Sequence, residues 1–429
     1  MNDSLFIRRA APPEPVARIL SRLRAGGYFA YAVGGCVRDL LLGRRAHDWD
    51  VATSALPEQV QALFDRVYAT GLPHGTVTVL EKGVAVEVTT FRTEGAYSDG
   101  RRPDSVRFVG TLPDDLARRD FTINAMALDE DGLVIDPFGG QDDLRARVIR
   151  CVGEPRERFT EDALRMWRAF RFSAALGFGI DPGTWDAIVV CAPLTGRLSA
   201  ERVAAEVGKM LLSGGAARLA DALPLGLLDA FLSARPSVIL PFGIIKTLPR
   251  RPDCRWAGFT ALLRQAGCLS EAGAFLRALR LPSRVVKPAA FGVEYALSYP
   301  MPAADVEWRH LCCQHGIPDA LCAAASADVL CSGGQGSTVS GQASAVRVLR
   351  RVLKNKPCLS VRELKVSGEQ LRQAGYEGPA IGRAQRLLLE HVLDHPGDNN
   401  QQALWGFLGM RDEEYMIHKC LASKGPVGE

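Results

Sequence analysis

The chain has 429 residues, 47% hydrophobic and 23% charged, which suggests two to four domains of ordinary globular composition. Its net charge is only +4, so the whole protein is not a polycation. No apolar run approaches the roughly 18 residues of a membrane span, and the N-terminal MNDSLFIRRAAPPEP lacks the layout of a secretory signal. A cytosolic location away from any membrane is expected. Eleven cysteines without a repeated CxxC spacing fit reduced thiols better than a disulfide framework. The cluster His310, Cys312, Cys313, His315, Cys322 and Cys331 matches no common zinc pattern, so it reads as buried small hydrophobes rather than a metal site.

In chain order, Val16, Ile19, Leu20 and Leu23 recur at helical spacing over 14–25, and Gly26-Gly27 ends the run. A strand-like YFAYAV follows, then Gly34-Gly35 and a short helical VRDLLLG. Strands are predicted at 48–52, 66–70, 76–81 and 84–91, with a helix at 57–65. From about 142 onward nearly every segment reads as helix, and the Gly/Ser-rich CSGGQGSTVSGQAS reads as a loop between later parts. The expected class is therefore α+β: a head built on a mostly β sheet, followed by all-helical segments.

Two carboxylates mark the head. In an extended strand Asp48 and Asp50 of HDWDVA project to the same side, where like charges need a cation between them. Oxygen-only ligands suit Mg²⁺. Glu87, inside the β-branched VAVEVTTF, is a third acid in need of a partner. The alternative is that DWD forms a turn and Glu87 sits on an exposed edge. Upstream, Gly34 and Gly35 lie between a strand and a helix, where backbone amides can approach a phosphate, and Arg38 can reach the same group. Between Arg145 and Arg171 eight arginines face Glu154, Glu157, Glu161 and Asp162, an excess that suits either phosphate binding or a solvated face.

Several segments carry a resemblance. GGCVRDLLLGRRAHDWDVAT, RRDFTINAMA (118–127), DPFGGQDDLRARVIRCVG (136–153), EDALRMWRAFRFSAALGF (161–178) and ERVAAEVGKMLL (201–212) resemble, in order, the motifs of bacterial and eukaryotic CCA-adding enzymes and bacterial poly(A) polymerases. These belong to the polymerase-β-like nucleotidyltransferases. The segment 364–393 is weakly similar to the tail of the CCA-adding members.

The resemblance implies a nucleotidyltransferase head at 1–141, a helical neck carrying the nucleotide-selecting motif at 142–215, a body at 216–355 and a tail at 356–429. It implies that Asp48 and Asp50 hold the catalytic metals for two-metal nucleotidyl transfer, with Glu87 as the third carboxylate. Arg119 touches the nucleotide on this reading, with Asp120 near it.

Asp162, Arg165, Arg168 and Arg171 recur every three residues, a drifting stripe on one helix face. A bland surface stripe is one reading. The other uses hydrogen-bond inventory: a carboxylate accepts and a guanidinium donates, so an Asp–Arg pair can complement both cytosine and adenine while rejecting uracil and guanine. In the resembled family the positions matching Asp162 and Arg165 play that templating part, which leaves Arg168 and Arg171 for the nucleotide or its phosphates.

The expected partners are CTP, ATP and the acceptor arm and 3′ end of tRNA, not DNA. TGLPHGTVTVL (70–80) favours the CCA-adding form over a poly(A) polymerase, and EGAYSDGRRPDSVRF (94–108) resembles a loop used to add the terminal A, disfavouring a CC-only enzyme. An A-only enzyme stays open. A catalytically silent RNA-binding protein is disfavoured by the intact acids.

Overall fold

The computed structural model describes residues 11–46, 48–94, 106–108, 110–332 and 344–409. The chain divides into two compact units, one built on the stretch through Lys246 with Gly267–Leu269 and Ala278–Arg280, the other on the rest.

The first unit opens with α1 (Glu14–Ala25), whose Val16, Ile19, Leu20 and Leu23 are fully buried, as the helical spacing predicts. Gly27, at φ +85°, turns the chain out of the helix in a conformation that favours glycine. Next come β1 (Ala30–Val33), α2 (Gly35–Leu41), β2 (Asp50–Thr53), α3 (Pro57–Leu63), β3 (Val67–Gly71), β4 (Thr76–Glu81) and β5 (Val84–Thr90). A short hairpin, β6 (Arg92–Glu94) with β7 (Val106–Phe108), precedes α4 (Leu112–Ala117), β8 (Ala127–Leu128) and β9 (Val134–Ile135).

All but the hairpin join one seven-stranded sheet of order β3-β4-β5-β2-β1-β8-β9. The β2–β5 pairing is parallel and sets Asp50 directly beside Glu87, while the antiparallel β1–β2 pairing sets Val33 beside Asp50. Along β5, Val86 and Val88 are buried and Glu87 between them is exposed. Glu87 therefore stands on the open face of a central strand, not on a sheet edge. Val33, Ala52, Phe91, Leu112, Leu116, Ala125, Ala127 and Val152 pack together and tie α4 to the sheet.

Helices dominate beyond the sheet: α5 (Gly140–Ala146), α6 (Pro155–Glu161), α7 (Leu164–Leu176), α8 (Pro182–Cys191) and α9 (Ala200–Ser213). The α+β expectation holds, with one amendment to the all-helical remainder. Strands β10 (Val148–Ile149) and β11 (Gly179–Ile180) form a small parallel pair.

Gly140, the first residue of α5, lies against the backbone of Thr122. A Cβ there would meet the Thr122 carbonyl oxygen at 2.3 Å, and backbone cannot swing aside as a side-chain tip can. Gly140→Ala is expected to destabilise the fold by about 1–2 kcal/mol, the scale of overpacking. Equilibrium urea unfolding measures this, and an unchanged midpoint would show that Thr122 yields freely.

Among its described residues the second unit holds helices and no strand, its longer helices at Pro252–Gln265, Ser283–Ser298, Asp305–His315, Ile317–Ser332, Ala345–Lys354 and Pro379–Asp394. Leu364, Val366, Leu371, Leu388, Val392 and Leu404 share one core within it. The residues of the His/Cys cluster make separate contacts. His310 pairs with Asp394 at 2.9 Å, His315 packs on Phe291 with ring centres 4.5 Å apart, and Cys331 is exposed. Cys322 instead lies with Cys254 and Asp253, ligand atoms within 4.8 Å of one another, and Arg251 already occupies the Asp253 carboxylate through two hydrogen bonds.

Candidate active site

Every site residue expected from sequence faces one cleft of about 800 Å³ in the first unit: Asp48, Asp50, Glu87, Gly34, Gly35, Arg38, Arg119, Asp120, Asp162, Arg165, Arg168 and Arg171. Residues 95–105, the centre of the loop associated with the terminal A, lie outside the described residues, as do 333–343.

The acids come from the start of β2 and the middle of β5. Strand β2 begins at Asp50, so the predicted extended run across Asp48 is corrected: Asp48 occupies an exposed bend before the strand. Both still line the cleft. Burial above all, and then the neighbouring charge of Glu87, push the Asp50 carboxyl above its usual range, against the pull of Arg119. Side-by-side carboxylates with one partly desolvated fit a hard cation bound by oxygen. The ligand oxygens of the three acids do not all lie within 4.8 Å of one another, and Asp48 and Glu87 are both exposed.

Gly34 caps α2 at φ +84°, and its missing Cβ makes room for Arg119. An added Cβ would lie 2.7 Å from Arg119 Nη1. Arg119 also donates to Asp115 at 3.2 Å, and Arg118 donates to the same carboxylate at 2.9 Å. Asp115 is buried, which alone would raise its carboxyl, but the two guanidinium groups hold it below the usual range. Arg38 donates to Asn124 Oδ1 at 2.6 Å and to Asp39.

Asp120 is buried and fully used. Its Oδ1 accepts from the Phe121 backbone N–H and from Asn124, and its Oδ2 accepts from Arg168 Nε at 2.7 Å. Burial opposes the charge, yet Arg168 and these donors keep the carboxyl below its ordinary value. Arg171 pairs with the buried Glu206 and lies over the Phe172 ring, 3.9 Å from its centre. Arg38 and Arg168 stand over the same ring at 5.1 and 5.4 Å. One aromatic thus gathers three cations, an arrangement worth a fraction of a kcal/mol to about 2 kcal/mol each.

The expected helical stripe needs a second correction. Helix α7 begins at Leu164, and Asp162 is the residue that ends α6. Its carboxylate is not paired with Arg165. Asp162 Oδ1 accepts from the Leu164 backbone N–H at 3.0 Å, and Oδ2 accepts from Arg202 at 2.7 Å. Arg165 is held separately, by Glu161 at 2.6 Å and by the carbonyls of Arg158 and Arg118. The arginine excess likewise splits: Arg165, Arg168 and Arg171 face the cleft, while Arg150 pairs with Asp143 and Asp181.

Sequence reasoning missed Arg202, Asp115, Asn124 and Phe172. Asp115 and Arg119 sit four residues apart on a helix end, a spacing that reads as an ion pair. Arg202 lies within ERVAAEVGKMLL, but nothing local says which acid it faces.

Acids on two central strands of a sheet, sharing a cleft with a cluster of arginines, make the site of a nucleotidyltransferase. Residues 30–150 match the poly A polymerase head domain, and residues 177–237 match the probable RNA and SrmB-binding site of polymerase A. The CCA-adding enzyme of Geobacillus stearothermophilus is 47% identical over 68% of this chain and 72% of its own length. That of Geobacillus kaustophilus is 38% identical over 94% of this chain and 98% of its own. The crystal structure of the Bacillus stearothermophilus CCA-adding enzyme in complex with CTP superposes with a TM-score of 0.71 at 35% identity, covering 95% of this chain and all of that one. The chain belongs to the family of CCA-adding enzymes. Nucleotidyltransferases of this kind generally use a divalent metal. Among the described residues no helix is long and apolar enough to cross a membrane.

Proposed function

We propose that this chain builds the CCA end of tRNA, adding C, C and A in turn from CTP and ATP. The observation that carries the reading is the single cleft joining Asp48, Asp50 and Glu87 to Asp162 and Arg165. In each cycle the RNA 3′-hydroxyl attacks the α-phosphate of the incoming nucleotide, a P–O bond forms, and pyrophosphate leaves. Asp48 and Asp50 would hold Mg²⁺, with Glu87 as the third carboxylate. Bound there, such an ion would supply charge stabilisation at the transferring phosphate.

The chain's own groups do the rest. Arg38, Arg119, Arg168 and Arg171 set a cationic wall for the triphosphate, two of them fixed against Asp115 and Asp120 so that little side-chain freedom is lost on binding. Asp162 keeps an acceptor for the exocyclic amino group of cytosine or adenine, and Arg165 keeps unspent donors for the ring acceptors. Uracil and guanine would turn a carbonyl toward Asp162. The proposed four-part organisation leaves the head at 1–141 and neck at 142–215 to the chemistry, and the body and tail, 216–355 and 356–429, to the tRNA. Dispersed cysteines without disulfide-like spacing favour a cytosolic location.

The test offers tRNA ending at the discriminator base, at C or at CC, with each nucleotide supplied singly. CTP is expected to extend the first two and ATP the third, after which addition stops. Extension of the CC-ending tRNA alone would make this an A-adding enzyme, and long A tails on unrelated RNA would make it a poly(A) polymerase.

A further inference from the structure

We infer that Arg202 is a specificity-positioning residue: it aims the Asp162 carboxylate at the amino edge of the incoming base. The inference rests on the reading of Asp162 as the base-selecting acceptor. It concerns a residue that makes no part of the expected Asp162–Arg165 pair.

Asp162 sits between α6 and α7 with backbone φ −144°, tied to each helix through its main chain, so the direction of its carboxylate is left to side-chain contacts. Two contacts do. The Leu164 N–H holds Oδ1 at 3.0 Å, and Arg202 Nη2 holds Oδ2 at 2.7 Å. The first contact alone is a hinge about which the carboxylate can turn. The second, arriving from the first turn of α9, closes it into a defined plane. A carboxylate carries about four acceptor positions, so two remain for an amino group.

The donor half is anchored elsewhere. Arg165 Nη1 spends both hydrogens on Glu161 and the Arg158 carbonyl, and Nη2 spends one on the Arg118 carbonyl. Its Nε–H and one Nη2–H stay available. Acceptor and donor are thus built by independent supports, Arg202 for one and Glu161 with two carbonyls for the other. If the two had been paired with each other, each would have blocked the edge that the other presents. Arg202 takes the charge-neutralising duty and leaves Arg165 unencumbered by Asp162. The side chains of Arg202 and Asp162 are only 21% and 14% exposed, so the bond between them is sheltered from competing water.

Single-nucleotide incorporation on tRNA ending at the discriminator base reads this directly, as the CTP:UTP ratio of kcat/KM, alongside the melting temperature of each variant. Arg202→Ala is expected to lower that ratio about tenfold, chiefly through a higher KM for CTP, with melting close to the parent. Arg202→Lys should recover much of the ratio, because an ammonium can still donate to Asp162 Oδ2. Asp162→Ala is the reference arm. If Asp162→Ala loses the ratio and Arg202→Ala keeps it, Asp162 holds its own position and the inference fails alone. If Asp162→Ala keeps the ratio, the base is read elsewhere and both readings fall together. Equal loss of CTP and UTP use with a lowered melting temperature would reduce Arg202 to a structural brace.

Discussion

Asp50→Ala is expected to lower kcat/KM for CTP incorporation by about a thousandfold or more, the scale of losing several kcal/mol of transition-state charge stabilisation. The position of Asp50 is over-determined: it is the first residue of β2, paired to Val33 on one side and to Glu87 on the other. No neighbouring carboxylate can swing in to replace it, since Glu87 is fixed in register on β5 and Asp48 stands on the exposed bend. The fold does not depend on it. The half-buried Asp50 is repelled by Glu87 beside it, and both burial and that repulsion work against the folded state. Asp50→Ala should therefore melt no lower than the parent in the presence of a chelator. Near-normal turnover, or a large drop in melting temperature, would take the site off Asp50.

The legibility of the site follows from the range of the interactions that make it. Helix α1 is plain in the sequence because four apolar residues at helical spacing are all buried on one side. The hairpin of β4 and β5 is equally plain, from alternating β-branched residues around Lys82-Gly83, both with positive φ. The acids and arginines were legible as residue types in ordered segments. What stayed hidden was pairing at long range. Glu161-Asp162-Ala163 reads as continuous helix, because nothing in those residues breaks one, yet the chain kinks there and turns Asp162 toward a residue forty positions on. The Asp120–Arg168 pair spans forty-eight positions and the Arg38–Asn124 bond eighty-six. Periodicity carries no information at such distances. Only packing of α7 against α9 and the sheet decides which arginine meets which acid.

Asp120→Asn should cost about 2 kcal/mol of stability at neutral pH and, alone among these variants, show a cost that fades in acid. Removing one partner of a buried ion pair strands the other, at about 3–5 kcal/mol where both are sealed in. Asp120 is sealed, but Arg168 is 35% exposed in its side chain, so water covers part of the loss and the lower figure is expected. The sign of the pH effect follows from the depressed carboxyl of Asp120 in the folded chain. Its contribution is complete above the unfolded-state value of about 4 and drains away only as pH falls below it. Unfolding midpoints in urea should hence differ by a constant amount between pH 8 and pH 5, and the two proteins should converge below about pH 4. A gap that closed between pH 7 and pH 5 would point to a different titrating group, and no gap at neutral pH would mean that Arg168 finds another acid when Asp120 is neutral. Of the two remaining acids whose charge reaches Arg168, Asp162 and Glu206, the stronger is Glu206, already bound to Arg171 and Lys209. Drawing Arg168 toward it would loosen Arg171, so that outcome would also appear as a raised KM for both CTP and ATP.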